Sequence, residues 1–303
     1  MLIQATPPAI QDAAQALRRG ELVAFPTETV YGLGADACNG MAVAKIYALK
    51  NRPLHNPLII HVASVEDAEK IGQFDSRAQT LASSLWPGPL TLIVPKRNGN
   101  GIAANATAGL DTVALRIPAH PVAAALIQSA GTPLAAPSAN PSGTLSPTRP
   151  EHVARHLAAQ GLIVLSGGAT TIGLESTVLD LTTHPARILR PGAIGLDELE
   201  PLIGPVQMAD GTEAIKAPGQ LKRHYATRTP LRLNAVDVKH GEAFLGFGNV
   251  GFIGVESVGF VRDMDHHLWR NLSPEGDLHA AATHLYAMLD ELDQAGAPMI
   301  AVQ

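Results

Sequence analysis

Along the first two hundred positions, apolar residues fall into short continuous runs separated by stretches with helical spacing. Residues 22–25, 58–62, 90–94, 113–117 and 134–136 have the length and continuity of buried strands. Residues 162–165, 177–181 and 188–189 extend that series. Between them, residues 9–19 place Ile10, Ala13, Ala14 and Leu17 on one helical face, and residues 78–85, 121–130 and 151–159 also read as helices. Strands mixed with helices in this way predict an α/β or α+β domain whose sheet is covered on both faces. No period of 20–50 residues recurs, which argues against a solenoid.

The texture changes near residue 205. Residues 206–230 lack a clear period and carry Gly211, Pro218, Gly219, Pro230 and the basic run LKRHY ending at Tyr225, so they read as a linker. Beyond it, residues 243–247, 251–255, 258–261 and 299–302 predict strands. Residues 277–295 predict a helix through Leu278, Ala281, Leu285, Met288 and Leu292. The expected division is a larger domain over 1–205, a linker over 206–230 and a small α/β domain over 231–303.

Length agrees with two domains, since 303 residues exceed one common core. With 46% hydrophobic and 16% charged residues the chain can build that core; with 4% aromatics it must pack it mainly from aliphatic side chains. A net charge of −5, concentrated after residue 205, gives no sign of a nucleic-acid or polyanionic-membrane partner. Cys38 is the single cysteine, which excludes an internal disulfide and a cysteine-rich zinc site. The start MLIQATPPAI has no basic region leading into an apolar run, and no segment approaches a membrane span. A cytoplasmic location is the expectation.

Polar residues at the ends of the apolar runs carry the chemistry. Lys50 and Arg52 stand two apart before Pro53, which forces Arg52 into extended geometry, so both cations are expected to project from a loop. Such a pair either clamps phosphates or decorates a solvated helix end. Ser138 and Asn140 lie between Pro137 and Pro141, in a stiffened ligand loop or a plain turn. Arg116 ends an apolar strand, so its charge needs an anion, either a structural carboxylate or a ligand's. Ser176 and Thr177 open a strand, where cap or turn hydroxyls would serve equally well. Phosphate-loop, dinucleotide, serine-hydrolase and zinc-protease patterns are all missing; Gly32 and Gly34 alone do not make one, and the His266–His267 pair reads as surface.

In order along the chain, PTETVYGLG, KNRPLHNPLIIHV, WPGPLTLIVP, TVALRIP, APSANPSG, ESTVLD and ILRPGAI resemble the threonylcarbamoyl-AMP synthase family, built on the YrdC-like domain. The family's K-x-R and S-x-N signature appears as Lys50/Arg52 and Ser138/Asn140, the expected catalytic set. APGQLKRHYA and the tail beyond it resemble the two-domain form. Such relatives continue past the final strand into a Gly-rich turn and a short helix; this chain stops at Gln303, which leaves the second domain short of that pattern.

The resemblance implies a twisted mixed α/β fold with a smaller Rossmann-like C-terminal domain. It also implies a nucleotidyltransferase that joins L-threonine, bicarbonate or CO2, and ATP, with Mg2+ arriving on the ATP. Its product would pass to a tRNA threonylcarbamoyl-transferase complex, with weak RNA binding as a further expectation. By motif, L-threonine would meet Thr29, His61, Arg116, Ala136 and Ser176. ATP would meet Lys50, Arg52, Asn56, Thr112, Ser138, Ser146 and Arg190, with Tyr225 folding the linker over it as a lid. Two rivals share the domain type, a carbamoyl-adenylate-forming maturation module and a non-catalytic RNA-binding module. The first normally lies inside a longer chain with zinc-finger and acylphosphatase segments, and the second is weakened by the acidic balance.

Overall fold

The computed structural model describes residues 1–157, 161–211, 215–219, 225–250 and 266–303. Its larger sheet has eleven strands among those residues. In chain order they are β1 (Leu2–Gln4), β2 (Val23–Phe25), β3 (Gly32–Asp36), β4 (Ile59–His61), β5 (Leu90–Pro95), β6 (Thr112–Arg116), β7 (Leu134–Ala135), β8 (Ile163–Ser166), β9 (Thr177–Asp180), β10 (Ala186–Arg190) and β11 (Val206–Met208). Their spatial order is β1-β8-β2-β3-β7-β4-β6-β5-β9-β10-β11, with parallel and antiparallel pairs mixed. Every apolar run in residues 22–189 became a strand, because continuous apolar sequence suits a sheet buried on both faces.

Two apolar layers sandwich this sheet. On one side α1 (Pro7–Arg18) and α5 (Pro121–Ala130) pack Leu17, Leu126 and Ile127 against Phe25 and Leu165. On the other, α2 (Gly40–Lys50), α3 (Val65–Ile71), α4 (Ser76–Leu85), α6 (Pro150–His156) and α7 (Leu196–Ile203) surround a core that includes Ile46, Ile60, Leu81, Leu92 and Leu115. The predicted helix over 151–159 corresponds to α6, with residues 158–160 outside the described set. Five strands and helices of the larger domain, α7 among them, had no counterpart in the sequence reading. β1, β3 and α3 are short, and β3 is a glycine-bearing strand, GLGAD. β11 lies at the start of the stretch read as linker, where it extends β10 in parallel.

The second sheet is β12-β15-β13-β14, all parallel, from β12 (Leu231–Arg232), β13 (Ala243–Gly246), β14 (Trp269–Asn271) and β15 (Ile300–Val302). The helix α8 (Leu278–Gln294) packs on it and starts on Asp277, whose side chain accepts from His279 N. The strands expected at 251–255 and 258–261 lie outside the described residues. No described helix is long and apolar enough to cross a membrane.

The domains share one apolar cluster, in which Val30 and Leu145 of the larger domain meet Tyr286, Leu289 and Leu292 of α8. Gly173 sits so close to the α8 backbone that a Cβ there would lie 2.4 Å from Thr283 O. Arg155 donates to Asp290 at 2.5 Å, and Thr283 Oγ1 donates to Thr171 O at 3.1 Å.

Candidate active site

Five connections converge on one cavity at the rim of the larger sheet. Its wall is formed by Thr27, Thr29, Arg52, His61, Arg116, Ala136, Ser138, Glu175, Ser176 and Arg190, with Pro218 of the linker closing one side. The β2–β3 turn holds Thr29 because Thr27 Oγ1 caps it, accepting from the backbone N of Thr29 and Val30, each at 3.2 Å. β4 and β6 run in parallel with His61 opposite Arg116, so both side chains reach the same end of the sheet. Ala136 N donates to Ile59 O at 3.0 Å, which ties the loop after β7 to the same rim.

Arg116 is 4% exposed and has the anion its burial requires: Nη2 donates to Glu28 Oε1 at 2.6 Å. The sequence left a structural carboxylate and a ligand carboxylate open, and the structure supplies the structural one, Glu28. Nε donates to Gly88 O at 3.2 Å, leaving Nη1 without a partner among the described residues. Burial, with the nearby Arg116 charge, pushes His61 down to about 3, so its ring is neutral; its buried Nδ1 has no described partner. Ser176 Oγ is 2.7 Å from Thr91 Oγ1 and 3.0 Å from Arg190 Nη2.

The cations divide differently from the sequence reading. Arg52 and Arg190 reach the cavity wall. Lys50 does not project from the loop: it is 2% exposed, behind residues 138–140. Its Nζ donates to Ser138 O at 2.5 Å and to the Asn140 carbonyl. The reason is local, because Lys50 lies one turn beyond Ile46 and Tyr47 on the buried face of α2. The helix then stops at Asn51, whose φ of 51° is the left-handed C-cap that Asn tolerates. Burial, reinforced by the Arg52 charge, drives the Lys50 ammonium well below its usual range, and burial pushes Arg52 down to about 10. Arg52 is anchored by Nε to Asn56 O at 3.0 Å and Nη2 to Pro57 O at 2.8 Å.

The remaining expected residues surround this wall. Asn56 is buried with both side-chain polar atoms unpartnered among the described residues, as a ligand or water contact would leave them. Asn140 Nδ2 donates to Thr144 O at 2.9 Å and thereby shapes the loop. Thr112 stands at the start of β6, opposite Pro95, outside the cavity wall. Ser146 Oγ donates to Glu175, and Tyr225 stacks on Tyr286 with ring centroids 5.5 Å apart. Sequence reading missed Glu28 and Glu175, the two carboxylates of the site. Glu28 was discoverable as the anion that Arg116 demands; Glu175 gave no separate signal. Among the described residues no cluster of His, Cys, Asp or Glu is arranged to hold a metal ion.

A family model described as telomere recombination, Sua5_yciO_yrdC, matches residues 15–192. A second, described as the threonylcarbamoyl-AMP synthase C-terminal domain, matches residues 194–303. The threonylcarbamoyl-AMP synthase of Bacillus subtilis is 42% identical, over 95% of this chain and 85% of its own length. That of Pyrococcus abyssi is 48% identical over 72% of this chain, and the match spans 65% of its length. The crystal structure of P. abyssi Sua5 complexed with L-threonine superposes with a TM-score of 0.87 at 37% identity, covering 100% of this chain and 92% of that one. By both domains, and by a site assembled from its ordered motifs, the chain belongs to the threonylcarbamoyl-AMP synthase family in its two-domain form.

Proposed function

We propose that this chain makes threonylcarbamoyl-AMP and pyrophosphate from L-threonine, bicarbonate or CO2, and ATP. The observation that carries the reading is a single cavity in which Thr29, His61, Arg116, Ala136 and Ser176 adjoin Arg52, Ser138 and Arg190. L-Threonine takes the first group, its carboxylate on the free Nη1 of Arg116 and its side chain among the hydroxyls. ATP takes the second group with Asn56, Thr112, Ser146 and Tyr225. Lys50 and Asn140 act from behind, fixing the loop that presents Ser138.

The threonine amine adds to CO2, giving a carbamate and a proton. A carbamate oxygen then attacks the α-phosphorus as the bond to pyrophosphate breaks. Both reactants are anionic, so the protein must mainly align them and neutralise charge, which Arg52 and Arg190 are placed to do. A neutral His61 adds no repulsion toward an amine. Mg2+ enters as part of the ATP substrate, carried on its phosphates. The product serves a transferase that modifies tRNA. Pyrophosphate release, measured with threonine and bicarbonate supplied separately and together, tests the reading: synergy supports it, and release indifferent to threonine contradicts it.

A further inference from the structure

The nucleotide side of the cavity contains a carboxylate in the wrong place for an anion-binding site. Glu175 lines the wall beside Arg52 and Arg190 and is 8% exposed. A carboxylate free to rotate there would pair with those guanidinium groups and compete with phosphate oxygens for them. Among the described residues it forms no ion pair with either. Both its oxygens are instead occupied: Oε1 accepts from Ser146 Oγ, Oε2 accepts from Tyr286 Oη at 2.8 Å, and the Tyr225 hydroxyl is also within hydrogen-bonding reach of the carboxylate. Ser146 belongs to the larger domain. Tyr286 belongs to α8 and reaches the site only because the C-terminal domain is docked.

We propose that Tyr286 is a positioning residue of the nucleotide site, supplied by the C-terminal domain, which acts by holding the Glu175 carboxylate away from the phosphate-binding arginines. This rests on the function proposed above. The same side chain seats the linker, since its ring stacks on Tyr225 at 5.5 Å with an interplanar angle of 23°. Hydroxyl and ring therefore have separable tasks. Burial and the adjacent Glu175 charge raise the Tyr286 phenol far above its usual range, so it remains a donor at working pH.

The test is calorimetric titration of the full chain with MgATP, and separately with L-threonine, alongside melting temperature. Tyr286→Phe removes the hydroxyl and keeps the stack, so ATP affinity should fall about tenfold while threonine affinity stays within about twofold. Glu175→Gln supplies the decisive second background. A neutral amide cannot compete for phosphate sites, so Glu175→Gln/Tyr286→Phe should bind ATP about as well as Glu175→Gln alone. Unchanged ATP affinity in Tyr286→Phe would overturn the proposal, as would an equal loss in the Glu175→Gln background. A joint fall in ATP and threonine affinity with a lowered melting temperature would reduce Tyr286 to a structural contact and also overturn it. Failure of the unsubstituted chain to bind MgATP is a separate result, which would refute the function reading itself.

Discussion

Arg116 and Glu28 face each other at 2.6 Å, both nearly excluded from solvent, across the amino-acid side of the cavity. Glu28 Oε2 also accepts from Ala119 N at 3.1 Å, so the carboxylate is fixed from two sides. The pair aims the guanidinium and leaves Nη1 for a ligand. Glu28→Gln keeps the shape and removes the charge. Threonine affinity should fall about tenfold while ATP affinity holds, as expected for a lost charge-assisted hydrogen bond. Parallel titrations of the two substrates check it.

Lys50 is placed to affect folding as well as turnover. Lys50→Ala leaves the Ser138 and Asn140 carbonyls without their ammonium donor in a buried setting, at a cost of about 3 kcal/mol. Denaturant unfolding should therefore show a loss of stability alongside the loss of activity. A variant of wild-type stability with no activity would return Lys50 to direct phosphate contact.

His61 makes stability depend on pH. The folded group titrates at about 3, against 6.5 for an ordinary histidine. Below 6.5 the unfolded chain takes up a proton that the folded chain refuses until about 3. Its contribution is therefore fully present above 6.5 and is lost as pH falls through that window. Melting temperature followed from pH 6.5 downward should drop more steeply in the wild-type chain than in His61→Asn. Parallel curves would show that His61 is not the group responsible.

Gly173 governs how the domains meet. Its φ of 79° and the 2.4–2.7 Å approach of a notional Cβ to the Thr283 backbone leave no room for alanine. Gly173→Ala should cost about 1–3 kcal/mol in backbone strain alone and loosen docking of α8. Limited proteolysis should then cut the linker faster than in the wild-type chain. Unaltered cleavage would mean that the interface tolerates the shift.

Most of the larger domain was legible because its strands are continuous apolar runs, and the sheet that buries them leaves little freedom in how they pair. What escaped was short or glycine-bearing, as in β3, or local to packing. Lys50 illustrates the second kind. The motif marks it as a phosphate clamp, yet its helical spacing from Ile46 and Tyr47 already assigns it to a buried face. Arg116 is the converse, since its need for an anion was readable and the identity of Glu28 was not. The Glu175–Tyr286 contact joins residues 111 positions apart in different domains, and no local pattern encodes such a pairing.

Labelled bicarbonate, followed into nucleotide product in the presence of L-threonine and ATP, tests the proposed synthesis at its chemical step. Threonylcarbamoyl-AMP carrying the label should form one for one with pyrophosphate, and none should form when any substrate is omitted. Pyrophosphate released without threonine, or an AMP product lacking the label, would contradict it.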